Sequence, residues 1–308
     1  MTKSVKVIAP ASVANIGCGY DTIGFALEGI YEELIVTESE APGLVIESVE
    51  GASLSLVPEE NVATVAASAL LKHVGGNQGF SFQIKKLFLP GSGLGSSASS
   101  AAGAVFAVNQ LLPSPLETRE LLPFALEGEA YASKCYHADN VAPSLLGGCI
   151  SVRSYQPLDY FHLPLADELK ILIARPYAEI KTAEAKGILP TEISVPTARN
   201  QWGNLASLIH ALHEKDWDRL SNSIEDYIAE PVRKSLIPCY DKMKEIAMAN
   251  DSVGYNISGS GPSVFAFFET DENLLSCKAE MESLFKNENI DCDFFETRMS
   301  AEGCRVKP

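Results

Sequence analysis

The segment from Phe80 to Leu112 constrains this chain more than any other. An alternating strand runs into Pro90-Gly91-Ser92-Gly93-Leu94-Gly95-Ser96-Ser97-Ala98-Ser99-Ser100, and a helix of small residues follows until Pro113 stops it. Three glycines within five positions let the backbone curl and approach a ligand where side chains would block it. The helix carries unpaired N–H groups on its first turn, and these point back at the glycines. Anions bind where such donors converge, so the run reads as a phosphate site. Ser96 and Ser97 add hydroxyls at the helix start, for phosphate oxygens or for a phosphate-bound Mg2+, both of which take oxygen partners. A Walker loop would close its glycines with Lys-Ser or Lys-Thr, and a dinucleotide fold would place an acid about 20 residues beyond them. Neither pattern is present. A plain Gly/Ser hinge has no need of serines lining the helix start.

At 308 residues the chain is long enough for two domains with separate cores. Its net charge of −16 excludes nucleic acid and anionic membranes as partners, since both call for clustered Lys and Arg. The same charge requires bound phosphates to be neutralised locally, and helix N-termini with Mg2+ are the means available. Seven scattered cysteines without a Cys-x-x-Cys pair indicate neither a disulfide framework nor a zinc site, so a reducing cytoplasm is expected. The first residues lead into a short strand, and no stretch reaches membrane-spanning length; the protein is expected to be soluble.

Strands are expected at Val5 to Ala9 and Glu32 to Thr37 around an Asn15–Asp21 loop, then a helix from Asn61 to His73. Leu116 to Tyr136 reads as a further helix and Leu145 to Val152 as a strand entered through Gly147-Gly148. The segment Ser154 to Leu165, with Pro157 and Pro164, is the expected crossover, which divides the chain into domains 1–160 and 161–308. Beyond it come a strand at Leu169 to Ala174, helices near 198–213, 217–234 and 238–250, strands Tyr255–Ser258 and Val264–Phe268, and a helix from Asp271 to Lys286. The mixture predicts an α+β protein.

Leu122, Ala125, Leu126 and Glu129 fall at i, i+3, i+4 and i+7, which puts Glu129 on the inward stripe of its helix. A carboxylate there needs a cation, whereas Glu127 lies off the stripe and reads as a surface charge. His137, Asp139 and Asn140 follow the helix end and are expected on a loop at the mouth of a strand.

The glycine run resembles the phosphate motif of the GHMP kinases, the small-metabolite kinases named for galactokinase, homoserine kinase, mevalonate kinase and phosphomevalonate kinase. The stretches from Ala9 to Gly24 and from His137 to Gly148, with Glu230-Pro231-Val232-Arg233, are similar to the homoserine kinase family. Gly259-Ser260-Gly261-Pro262-Ser263 matches the third glycine-rich motif of the superfamily. The resemblance is collinear over nearly the whole chain. It implies a two-domain fold, with a ribosomal-S5-like ATP-binding first domain, a ferredoxin-like second domain and the active site between them. It further implies phosphorylation of L-homoserine by MgATP to O-phospho-L-homoserine, on the way to threonine.

Residue by residue, the resemblance implies that Ser96 and Glu129 hold Mg2+; Glu129 precedes Asn140 by the family's eleven positions. Asn15 and Asp21 correspond to contacts of the substrate amino group, and Arg233 to a carboxylate-binding arginine. Lys186 stands where the family carries a second arginine, giving a point charge without the planar fork. Many relatives place Asp at the position of Asn140. A carboxamide orients a hydroxyl but cannot deprotonate it, and phosphoryl transfer tolerates this because its loose transition state asks little of a base. His137 is read as a substrate-site residue or as a cation at a helix C-terminus, and Asp139 as a candidate base. Asn61 reads first as an N-cap, and the resemblance puts it and Val62 at the adenine wall. Gly259-Ser260-Gly261 would close over the phosphates. A homodimer is compatible with this reading and not required by it. The competing readings are another GHMP kinase with a mevalonate- or sugar-type acceptor, and a non-catalytic relative that only binds a ligand.

Overall fold

The computed structural model of the protein describes residues 2–178, 185 and 187–307. Two sheets organise it. The first is seven-stranded, built on β1 (Ser4–Ala14), β2 (Ile23–Ser39), β3 (Gly43–Glu50), β4 (Gly79–Lys85), β5 (Cys149–Tyr155), β6 (Leu158–Leu163) and, from the far end of the chain, β11 (Arg305–Val306). Its main path runs β11-β1-β2-β4-β3, while β5 pairs with the start of β2 and carries β6. The second sheet, antiparallel throughout, has the order β10 (Cys292–Thr297), β7 (Lys170–Pro176), β9 (Val264–Phe268), β8 (Gly254–Ile257).

Helices α1 (Val62–Val74), α2 (Ser96–Leu111), α3 (Leu122–Ser133) and α4 (Ala138–Leu146) cover one face of the first sheet. The small residues of α2 have a physical reason: a Cβ on Gly103 would meet Leu34 at 2.5 Å, so the helix lies directly on β2. Between the sheets sits a second core, where Phe25 packs edge-on against Phe265 with α5 (Val195–Glu214) and α6 (Trp217–Ser223) alongside. A third core fills the outer face of the second sheet under α8 (Tyr240–Ala249) and α9 (Asp271–Glu288). Strand alternation divides the two: Ile171, Ile173, Phe265 and Phe267 face inward, and Leu172, Ala174, Val264 and Phe268 face outward. Both faces of these strands are buried, so each reads as one continuous apolar run.

Several expectations need correction. His137 to Asn140 lie on no loop: His137 is the N-cap of α4, and Asp139 and Asn140 form its first turn. Pro143 inside α4 obscured this; the Asp139 carbonyl, left without the Pro143 N–H, packs against Gly24, where a Cβ would come within 1.7 Å. Leu145 belongs to α4 rather than to a strand, and the Leu116 to Tyr136 helix shortens to α3 behind a 3-10 turn at Thr118–Leu121. The 217–234 helix is interrupted: the Asp226 carboxylate accepts from the N–H groups of Ile228, Ala229 and Glu230 and restarts the chain as the short α7 (Glu230–Arg233). Ser154 to Leu165 is largely a hairpin of the first sheet, so a division at 160/161 falls inside β6, and the chain changes sheets after Leu163. The end of the chain then returns, with Val306 paired to Val7.

Candidate active site

One cleft collects the phosphate loop, the Asn15–Asp21 loop, the end of α3, the start of α4, α7 and the turn between β8 and β9. The two glycine-rich turns are knitted together at its rim. Ser258 donates its hydroxyl to the Gly93 carbonyl at 2.7 Å, and the Ser263 N–H donates to the Ser92 carbonyl at 3.2 Å. Gly93, at φ +81, admits no other residue, since a Cβ would sit 2.6 Å from the Ser258 carbonyl oxygen. Gly95 is equally confined, with its Cβ position 2.2 Å from the Ser12 hydroxyl.

Beyond the glycines, the four serines of α2 take three walls, Ser96 and Ser100 sharing one. Ser96 accepts from Lys86 at 2.8 Å and donates to Glu32 at 3.1 Å, both buried beneath the loop. Ser97 donates to Glu129 Oε2 at 2.5 Å, Ser99 to the Pro10 carbonyl and Ser100 to Glu32. Leu94 and Ala98 are core residues, and Ser92 is buried. Thus Ser97, not Ser96, is the serine whose hydroxyl meets Glu129. Sequence spacing could not choose between neighbours, because both lie in the first turn of α2 and only the tertiary partners of each hydroxyl tell them apart. Glu32 and Lys86 also escaped sequence reading, although Glu32 shares a strand face with Ile30, Leu34 and Val36, and Lys86 continues the Phe80, Phe82, Ile84 alternation.

Glu129 is 4% exposed, and its other oxygen meets His137 Nδ1 at 2.9 Å. Glu127 is exposed. Asn140 Oδ1 accepts from Ser12, which leaves the Nδ2 donors without a partner among the described residues. Asp139 is buried, its Oδ1 has no hydrogen-bond partner among the described residues, and its carboxyl is pushed up to about 7 by burial first and by the Asp21 charge second, against the pull of His137.

Asn15, at φ +77, donates to the Gly259 carbonyl at 2.7 Å and accepts from the Asp21 N–H at 3.0 Å. Arg233 is 3% exposed, donates to the Gly259 and Ala185 carbonyls, and lies with its guanidinium 5.2 Å from the Tyr20 ring centroid. Burial raises the Tyr20 hydroxyl to about 12, with Asp21 adding to the effect and Arg233 opposing it. Among the described residues no carboxylate pairs with Arg233 and no cation with Asp21. Gly259 and Ser260 line the cleft, and Gly261 completes their turn. Asn61 and Val62 do not line it: the Asn61 amide caps Ala63 at 3.1 Å and reaches back to the Ser55 carbonyl at 3.0 Å. Lys186 lies outside the described residues.

The family model for the GHMP kinase N-terminal domain matches residues 61–148, and that for the C-terminal domain matches 208–287. A two-domain kinase of the GHMP class is therefore what the fold and cleft define. The chain is 38% identical to the homoserine kinase of Chloroherpeton thalassium over 317 residues and 36% identical to that of Methanococcus maripaludis over 310, covering 99% of each protein and of itself. A solved homoserine kinase from Cytophaga hutchinsonii superposes with a TM-score of 0.95 at 40% identity, covering 99% of this chain and 97% of that one. Within its class the chain belongs to the homoserine kinase family. The L. major mevalonate kinase structure, with a TM-score of 0.75 at 15% identity over 98% of both chains, shares the fold. No helix among the described residues is long and apolar enough to cross a membrane.

Proposed function

We propose that the protein transfers the γ-phosphoryl group of ATP to the hydroxyl of L-homoserine. The observation that carries this reading is the pair of uncompensated charges in one cleft. Arg233 is buried without an acid and Asp21 stands without a base among the described residues, beside a phosphate cradle. An amino-acid zwitterion completes both, its carboxylate on the guanidinium fork and its ammonium on Asp21 with the Asn15 loop. A sugar completes neither, and mevalonate lacks the ammonium.

The donor set fits Mg2+ delivered with a nucleotide. Glu129 and Ser97 offer a buried carboxylate and a hydroxyl, and Mg2+ characteristically takes one or two carboxylates and fills its remaining positions with phosphate oxygens and water. Among the described residues no three His, Cys, Asp or Glu side chains are arranged to hold a metal ion by themselves. When bound, the ion would offset phosphate charge beside the backbone N–H groups at the α2 start. His137 holds Glu129 from the other side. The Asn140 Nδ2 donors would hold the attacking hydroxyl in line, with positioning carrying the catalysis. The seven cysteines are unpaired, in keeping with a cytoplasmic setting.

An ADP-release assay across homoserine, serine, threonine, mevalonate and sugars, with phosphorus NMR of the product, tests the reading. Homoserine is expected to be the preferred acceptor. Far faster turnover of mevalonate or a sugar overturns it.

A further inference from the structure

The Glu32–Lys86 ion pair lies outside the cleft, with side chains 0% and 2% exposed, Glu32 on β2 and Lys86 just past the end of the adjacent β4, and both contact the first turn of α2. Burying two charges is costly, and an apolar pair of similar size commonly stabilises a fold as well or better. Its contacts point to another use. Besides Glu32, Lys86 Nζ donates to the Ser96 carbonyl at 3.0 Å, the Ser96 hydroxyl at 2.8 Å and the Ser100 hydroxyl at 2.6 Å. Glu32 accepts from both hydroxyls, Ser96 at 3.1 Å and Ser100 at 2.8 Å. Ser96 and Ser100 are one turn apart and so share a helix face. Ser97 is rotated about 100° from Ser96, given 3.6 residues per turn. That rotation brings its hydroxyl to Glu129.

We propose that Glu32 and Lys86 are positioning residues: together they grip the Ser96/Ser100 face and set the rotation of α2, which turns the Ser97 hydroxyl and the helix N–H groups toward the nucleotide phosphates. Neither residue lines the cleft, so they act only through α2. A charged clamp suits the task better than an apolar contact because hydrogen bonds are directional, whereas apolar packing would let the helix turn. This rests on the reading of the cleft as a MgATP site.

The test is calorimetric binding of MgADP and, separately, of homoserine to the full-length protein. The double variant Glu32→Leu/Lys86→Met removes both charges and avoids stranding one. It should melt near the wild type, bind MgADP at least tenfold more weakly and bind homoserine within twofold of the wild type. Ser97→Ala, which weakens MgADP binding in the wild-type background, should have little further effect in this one. A folded double variant with wild-type MgADP affinity, or with both ligands weakened alike, overturns the proposal. Should the double variant fail to fold, Ser96→Ala/Ser100→Ala leaves the ion pair together, removes the hydroxyl half of its grip on α2 while the Lys86 bond to the Ser96 carbonyl stays, and is judged by the same two outcomes. Glu129→Gln in the wild-type background separates the two layers. If it leaves Mg2+-dependent ADP binding unchanged, the MgATP reading of the site fails; if it weakens that binding while the clamp variants do not, the clamp alone fails.

Discussion

The Ser12 hydroxyl donates to Asn140 Oδ1 across 2.9 Å, joining β1 to the first turn of α4 over 128 residues of sequence. With its oxygen occupied, the Asn140 amide can present only N–H donors to the cleft. Asn140→Ala should lower kcat by about 10–100-fold through lost positioning, with the KM for ATP little changed. Ser12→Ala should lower kcat less, since the amide remains and loses only the contact that fixes its rotation. Steady-state kinetics in both substrates check this, and near-normal turnover of Asn140→Ala would remove the residue from the reaction.

Arg233→Leu should raise the KM for homoserine with a smaller effect on that for ATP. A charge-assisted contact in a water-poor site contributes about 1.5–3 kcal/mol, roughly ten- to hundredfold in affinity. Equal damage to both constants would assign Arg233 to the fold, where it already holds the Gly259 turn.

Glu129→Gln, Ser97→Ala and Ser96→Ala should separate in a Mg2+ titration of turnover. Glu129 supplies the anionic oxygen and its loss should shift the titration most; Ser97 supplies a neutral one and should shift it less. Ser96→Ala should leave the Mg2+ midpoint closest to wild type, because its hydroxyl faces Lys86 and Glu32. A larger shift for Ser96→Ala than for Ser97→Ala would reverse the assignment.

Asp139 gives the fold a pH dependence with a definite sign. Its carboxyl titrates near 7 in the folded protein against 3.8 ordinarily, so the folded state holds a proton that the unfolded chain gives up. The contribution to stability is full below pH 3.8, declines as pH rises and is lost above 7. Asp139→Asn should flatten the fall in Tm between those limits and retain most of the turnover. A folded but inactive Asp139→Asn would instead make it the base that accepts the hydroxyl proton.

The phosphate loop was legible in the sequence because its chemistry is local: glycines, serines and a helix start are contiguous. Glu129 was legible too, since burial on a helix follows the 3.6-residue period. Asn140 and Asp139 were expected on a loop because Pro143 reads as a helix breaker, whereas they form the first turn of a helix that contains it. The choice of Ser97 over Ser96, the Ser12 contact and the Glu32–Lys86 pair were beyond reach, each depending on strands and helices that meet only in three dimensions. The same holds for the interrupted 217–234 segment, where one carboxylate, Asp226, outweighs helical periodicity.

The pairing of β11 with β1 has a bearing on how the molecule comes into being. Translation proceeds from the N-terminus, and domains begin to fold as they emerge. Here the strand that starts the first sheet waits for Arg305 and Val306, which follow the whole second sheet in the chain, before its outer edge is covered at Val7 and Ile8. Until then β1 offers an open row of peptide groups to any neighbouring chain. A partly folded chain in which β1 has formed without β11 is therefore the form most exposed to mispairing with its own kind, and deleting Arg305 and Val306 would make that exposure permanent.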